Sequence, residues 1–505
     1  MQRQGLFGII EHSLCTGLNR NSEEVELAKE KVLLTGASGS MGGEAFKELL
    51  RRKDKYDIRL ILRPSKKNKK AFGKYEGQEG IDIVWGDLGH LDDVLKAVEG
   101  MDAVLHPAAF ISPAADHSPK MCNRCNRIGT ENIVEAIKSQ PGGGDNISLV
   151  SVGSVAEYGD RLPPVHWMKV GDPLKPSVGD FYATTKMWAE RAVIESGLKR
   201  WAIMRQTWIA IPDLLGLMDP IMFHQPPQTH IELITGEDAG YGLVQTLECT
   251  DDFYGRVYNM GGGPSCRIVY SDYLERFFHM FGMGDFRNIL PRNWFGIRNF
   301  HCGWYEDSWI LNEYLGHWRQ SYDDQVKQVE KAIPTILKKA AGIAPPIAAK
   351  LFMKRMADPL KWIKNNDQEK ICAFFGSRQA WESIPGWDQY TFERDERDVR
   401  VEVDPLTKEY TLADMQALAK SRGGQCLSSE YRGIGSKLKW KCALGHEWEA
   451  TPKLHLSGHW CAQCQPPPWN WDEIAKVDPG IAAIYYFNHD KDESQCVDWL
   501  YCPNE

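Results

Sequence analysis

Tyr182 and Lys186 lie four residues apart, so a helix through them sets a phenol and an ammonium on one face. That pair can hold and move a proton. Far upstream, Gly36, Gly39 and Gly42 punctuate Thr35-Gly36-Ala37-Ser38-Gly39-Ser40-Met41-Gly42. Glycines so placed tolerate positive φ in a tight turn and leave no Cβ in the path of a pyrophosphate. A helix starting from that turn adds free N–H groups and a partial positive charge. Either motif alone is weak. In this order they point to an oxidoreductase that uses a nicotinamide cofactor.

These groups need a scaffold, and the hydrophobic pattern supplies one. Short apolar runs at Lys31–Thr35, Ile58–Leu62, Ile81–Val84, Ala103–Leu105, Ile147–Val152 and Trp201–Met204 read as strands. Helical patterns at Glu44–Arg52, Leu91–Val98, Glu131–Lys138 and Phe181–Glu195 alternate with them. Strands alternating with helices predict an α/β fold, a Rossmann-type doubly wound parallel sheet. The glycine turn then falls between the first strand and the first helix. The end of the second strand selects the cofactor: an acid there bonds a ribose 2′-hydroxyl, an Arg accommodates a 2′-phosphate. This chain has Arg63, followed by Lys66 and Lys67, and no acid. NADP is therefore favoured over NAD. Asp87, after the third strand, is placed to bond the adenine amine.

The ordered set of short motifs resembles the extended short-chain dehydrogenase/reductase family, which includes epimerases, dehydratases and reductases. The likeness rests on the glycine turn, Gly86-Asp87-Leu88, His106-Pro107-Ala108-Ala109, Asn126 to Thr130, Ser154 to Gly159, Tyr182 to Lys186, Arg205 and Tyr258 to Gly262. It covers about residues 31–330. The resemblance implies that Tyr182 is the acid–base, that Ser154 holds the substrate oxygen, and that Asn126 holds a water in a proton relay. It also implies that Gly36, Ser38, Gly39, Ser40, Met41, Gly42, Arg63, Asp87, Leu88, Ala108, Tyr182 and Lys186 hold the cofactor. A free phenol titrates near ~10; Lys186 and an oxidised nicotinamide are expected to lower that value. A homodimer through two long helices per subunit is a family expectation. Cys122 and Cys125, just before Asn126, read as packing or surface thiols.

No Lys or Arg occurs between Arg205 and Arg256, whereas Trp208, Ile209, Leu214, Leu215, Met218, Met222 and Phe223 do. The small-molecule substrate is therefore expected to be uncharged and apolar or aromatic. Arg287, Arg292 and Arg298 lie among aromatic residues and offer an anion site from another segment. Two other readings stand beside a reductase. One is an NAD-dependent epimerase or dehydratase of a sugar-type substrate. The other is a non-enzymatic scaffold that senses nucleotide and contacts nucleic acid or protein.

Cys442, His446, Cys461 and Cys464 combine a close first pair with a CxxC second pair, which suits tetrahedral zinc. Four protein ligands leave no open position, so a structural Zn²⁺ is expected. Cys426 is an alternative ligand but lies far from the tight pairs. Met415 to Cys464 also resembles a treble-clef-like zinc-ribbon module. From 405 to 465, eight Lys/Arg face five Asp/Glu, too small an excess to mark a phosphate footprint.

The expected organisation is an N-terminal extension over 1–30, the reductase domain with its substrate-binding region over 31–339, and a helical extension or linker over 340–404. The zinc module follows over 405–465 and a tail over 466–505, with a strand pattern at Ile481–Phe487. Thirteen cysteines without a disulfide rhythm suit a reducing cytoplasm. No run approaches ~20 apolar residues, so no membrane span is expected. Ala340–Met353 comes nearest and reads as a surface helix pair.

Overall fold

The computed structural model describes residues 28–505 except 113, 163–165, 173, 212–218, 335–345, 390–409, 422–423, 434–435, 443–444, 453–454, 456–460, 462–474, 477–481, 483–485, 487–490 and 492–505. Leu214, Leu215, Met218 and Cys464 lie outside the described residues, as does the extension over 1–27.

Seven parallel strands form the main sheet: β1 (Glu30–Thr35), β2 (Tyr56–Leu62), β3 (Ile81–Trp85), β4 (Ala103–His106), β5 (Ser148–Ser154), β6 (Trp201–Gln206) and β7 (Arg256–Met260). Their spatial order is 7-6-5-4-1-2-3. Both faces are covered, so the strands are apolar along nearly their whole length. In β1, Leu33 turns to a core shared with Val94, Ala97 and Ile133, while Val32 and Leu34 turn to one shared with Phe46, Leu49 and Leu243. The helices behind those side chains are α1 (Ser40–Arg51), α3 (Leu91–Val98), α4 (Gly129–Lys138) and α6 (Gly236–Gln245). Between them in the chain come α2 (Lys66–Phe72) and α5 (Phe181–Ile194). The strand order reverses between β1 and β4, and a ligand crevice opens at the carboxyl ends of strands at such a switch point.

A buried strut holds that point. His106 Nδ1 pairs with Thr35 Oγ1 at 2.9 Å and Nε2 with Thr130 Oγ1 at 3.0 Å, tying β1, β4 and α4 together. Burial, with repulsion from Lys186, brings the imidazole down to about 3 and keeps it neutral.

A second aromatic cluster packs beyond the sheet. It joins Phe223, Tyr270, Tyr273, Phe286 and Phe295 to Met353 and Ala357. The stretch read as an extension or linker therefore contributes core. Its helices at Pro346–Met356, Asp358–Asn365 and Gln368–Phe375 are short, so no long apolar period marked them. The C-terminal unit has a helix, Leu412–Ser421, and a three-stranded antiparallel sheet of Gln425–Cys426, Leu438–Lys441 and Glu447–Ala450. After it the chain returns: Ala475, Ala482 and Tyr486 pack on the Leu33–Val94–Ile133 core. The strand expected at Ile481–Phe487 is not formed at its described residues, because Tyr486 N donates to Ala482 O in a helical turn. No helix among the described residues is long and apolar enough to cross a membrane.

Candidate active site

One cavity of about 630 Å³ runs along the carboxyl ends of β1, β4 and β5. At one end lie Gly36, Ser38, Gly39, Ser40, Met41, Gly42, Arg63, Asp87, Leu88 and Ala108; Ser154, Tyr182 and Lys186 lie in the middle; Trp208, Met222, Tyr270, Tyr273 and Phe300 line the other end. Three stretches far apart in sequence thus meet in one space.

The glycines are dictated by contact. Gly36 has φ +63°, and a Cβ there would stand 2.8 Å from Ala108 Cα. A Cβ on Gly42 would stand 2.2 Å from Gly36 O. The turn is closed on itself, leaving its outer side and the start of α1 for a ligand. Gly36→Ala should therefore cost about 1–3 kcal/mol of stability through strain and weaken dinucleotide binding more than tenfold. A thermal melt and a fluorescence titration with NADPH check both, and an unchanged titration refutes the cradle.

Arg63 is exposed at the mouth and lines the cavity with Ser38, Ser40 and Asn68. Its carbonyl accepts from Asn68 Nδ2 at 2.9 Å, which fixes the backbone and leaves the guanidinium to reach outward. Lys67 lines a second, adjoining cavity with Ser38, Gly39 and Ser40. Lys66, read beside Arg63, lines neither, because it lies about 100° around α2 from Lys67.

Ser154 ends β5 and caps the next turn. Its Oγ accepts from Ala156 N at 3.1 Å, and its own N–H donates to Glu157 Oε1 at 2.7 Å. Its hydroxyl neighbours the Tyr182 phenol and eases that group's ionisation. Tyr182 and Lys186 come from the first turns of α5, whose N-cap is Asp180, with Oδ1 accepting from Ala183 N at 2.8 Å. Burial pushes the Tyr182 phenol up, and only the bond from Ser154 opposes it among the main influences. This corrects the expectation that Lys186 depresses the phenol. The ammonium is itself buried, which lowers its own affinity for the proton, and it is committed to the Val152 carbonyl.

Asn126 is buried outside the cavity lining. Its Oδ1 accepts from Phe110 N at 2.7 Å, and its Nδ2 donates to Phe110 O at 3.1 Å and Thr185 Oγ1 at 3.0 Å. In this arrangement it ties the loop after β4 to α5. Cys122 packs at the same junction, 3.2 Å from Thr185 Oγ1, as a buried thiol.

Two features had no signal in the sequence pattern. His301 lines the cavity, and its Nδ1 meets Asp180 Oδ2 at 3.0 Å, across 121 residues. The carboxylate fixes the orientation of the ring. Beneath Ser154, Glu190 receives a bidentate bond from Arg205 at 2.6 and 3.0 Å. Buried Glu157 has its Oε2 3.8 Å from Arg205 Nε, and burial, with repulsion from Glu190, raises its proton affinity. The arginines offered as an anion site stand elsewhere: Arg287 pairs with Asp285 and Glu275, and Arg298 caps the Cys372 and Ala373 carbonyls. Arg292 is buried over Trp387.

In the C-terminal unit, Cys442 Sγ, His446 and Cys461 Sγ converge, with His446 Nδ1 3.5 Å and 3.6 Å from the two sulfurs. Zinc bond lengths to S and N with a tetrahedral angle require a separation of about 3.5 Å. Cys426 is not part of this group.

Fold and cavity together define a Rossmann-type α/β protein. Residues 32–202, from β1 to the start of β6, match the NAD dependent epimerase/dehydratase family. Among curated proteins, the chain is 38% identical over 116 residues to sanguinarine reductase of Eschscholzia californica, covering 22% of this chain and 39% of that protein. It is 27% identical over 190 residues to the decarboxylating sterol-4-alpha-carboxylate 3-dehydrogenase of Homo sapiens, covering 35% and 43%. The chain thus spans less than half the length of these relatives. Among solved structures, UDP-glucuronic acid 4-epimerase from Bacillus cereus, with NAD, aligns at 16% identity and a TM-score of 0.47, covering 61% of this chain and 99% of that one.

Proposed function

We propose that this protein is a nicotinamide-dependent oxidoreductase, with NADP preferred, acting on the C=O or CH–OH group of an apolar or aromatic small molecule. The observation that carries the reading is the single cavity that joins a glycine cradle, a Ser154–Tyr182–Lys186 centre and an aromatic wall. The match to an NAD-dependent family and the likeness to a reductase and a dehydrogenase support it.

The residues fit a dinucleotide, since glycines at 36 and 42, where a Cβ would collide with Ala108 and with the Gly36 carbonyl, keep the turn free of side chains. Gly36 to Gly42 would hold the pyrophosphate at the start of α1, Asp87 the adenine and Arg63 a 2′-phosphate. When bound, the cofactor supplies or accepts the hydride. The chain's own residues handle the proton. Burial keeps Tyr182 a neutral phenol, ready to donate to a substrate oxygen as that oxygen gains electron density. Ser154 O–H holds the same oxygen, and such a fixed donor stabilises the transition state more than the ground state. Lys186, held by Val152 O, would offer its ammonium to the ribose and ring of the cofactor.

Among the described residues, Arg63 and Lys186 are the cations that line the cavity, and both belong to the cofactor half. The substrate end offers Trp208, Ile221, Met222, Tyr270, Tyr273 and Phe300, with His301 and Gln225 as hydrogen-bonding groups. This favours an uncharged substrate over a sugar nucleotide, whose diphosphate asks for cations.

Cofactor choice is tested at Arg63. A charge-assisted hydrogen bond is worth about 1.5–3 kcal/mol, so Arg63→Ala should weaken NADPH about 10- to 150-fold and leave NADH nearly unchanged. Calorimetric titration of both cofactors against both proteins reads this directly. Equal affinities in the wild type overturn the NADP preference.

We further propose that Cys442, His446, Cys461 and Cys464 hold one structural Zn²⁺. The spacing of the three described ligand atoms supports it, and so does the small core of Met415, Ala419, Leu438, Trp440 and Ala450, which gains from a metal staple.

A further inference from the structure

The helix Pro346–Met356 is apolar on both sides. Its inner side, Ala349, Met353 and Met356, packs into the cluster that also contains Tyr270 and Tyr273 from the cavity wall. A helix covered on one side should be polar on the other. Here the outer side carries Ile347, Leu351 and Phe352, which are 71%, 59% and 52% exposed. Ile347 and Leu351 are one turn apart and form a ridge. Exposed Lys350 and Lys354 flank it on one side and exposed Arg355 on the other. From Glu330 to Asp358 the chain has Lys331, Lys338, Lys339, Lys350, Lys354 and Arg355 and no acidic residue, although its net charge is −8.

We propose that this face docks on an anionic lipid surface. Large apolar side chains beside cations suit the boundary between acyl chains and headgroups, where the apolar groups sink and the long cationic stems reach up to lipid phosphates. A second copy of the chain would bring the same cations against these. A nucleic acid would satisfy the charge but not the apolar ridge. Docking would also set the helix behind the aromatic cavity wall against a lipid phase, which concentrates apolar compounds. The inference stands independently of the reaction proposed above.

The test is flotation of the full-length protein with vesicles of phosphatidylcholine alone and with about one-third phosphatidylserine. Three cations near an anionic surface should raise vesicle affinity about a hundredfold. Raising NaCl from about 0.1 to 0.5 M should release the protein. Ile347→Ser with Leu351→Ser, and separately Lys350→Glu with Lys354→Glu, should each abolish flotation, while circular dichroism and a thermal melt show the protein folded. Wild-type protein that stays off anionic vesicles, or variants that float like it, overturn the proposal. It also falls if the substitutions instead change the sedimentation coefficient of a lipid-free oligomer, which would assign the face to self-association.

Discussion

Tyr182→Phe should lower turnover about 10²- to 10⁴-fold while NADPH affinity changes less than about twofold, within the scatter of contacts it does not touch. The substitution keeps the ring in its buried place and removes the proton that Tyr182 would give the substrate oxygen. Ser154 loses its partner in the free enzyme but keeps its bond from Ala156 N, so the site should hold its shape. Because burial raises the phenol, the wild type should reduce carbonyl compounds at neutral pH with Tyr182 protonated. Activity should fall only where the phenol ionises, on the alkaline side. The measurement is NADPH oxidation over a panel of aryl and alicyclic ketones, with a fluorescence titration of the cofactor. Wild-type hydride transfer by the variant on a verified substrate would falsify the assignment of the acid.

The second large effect is expected in the C-terminal unit. Purified protein should contain about one zinc per chain, and Cys461→Ser should lose most of it. Structural zinc contributes about 10–16 kcal/mol in small finger peptides near neutral pH, far more than the few buried side chains around Trp440 supply. Removing the ion should therefore unfold the unit outright. Hydrogen exchange at Leu438–Lys441 and Glu447–Ala450 should lose its protection on chelation, while β1 and β5 keep theirs. Hydride transfer should survive, because no described residue of this unit lines the cavity. Metal-free protein with those strands still protected would sink the site; lost activity would instead give the unit a part in the pocket.

How far the sequence could be read depends on the length of the contacts involved. The sheet was legible because each β–α repeat buries its own face. The glycine turn and the Tyr182–Lys186 pair were legible because their chemistry sits within a few residues. The Asp180–His301 pair was not, since it joins a helix cap to a loop more than a hundred residues away and neither end has a periodic signal. Glu157 was hidden for a similar reason: its environment is made by Glu190 and Arg205 from α5 and β6. Lys66 and Lys67 differ only by about 100° of helix phase, which the spacing alone left open. The run at 481–487 is apolar enough for a strand, and docking on an existing core overrode that propensity at Ala482 and Tyr486.

That docking changes what the C-terminal unit is to the rest of the chain. With Trp387 before it in the aromatic cluster and Ala475 after it in the core of the sheet, the unit lies between two anchored stretches, a graft and not a pendant. When it melts, it becomes a surface loop whose closure cost rises only about 0.6 kcal/mol for each doubling of length. The sheet core therefore keeps its C-terminal clasp whatever occupies the span between. Such a position tolerates replacement: a longer, shorter or unrelated insert between these two anchors should leave the cavity intact.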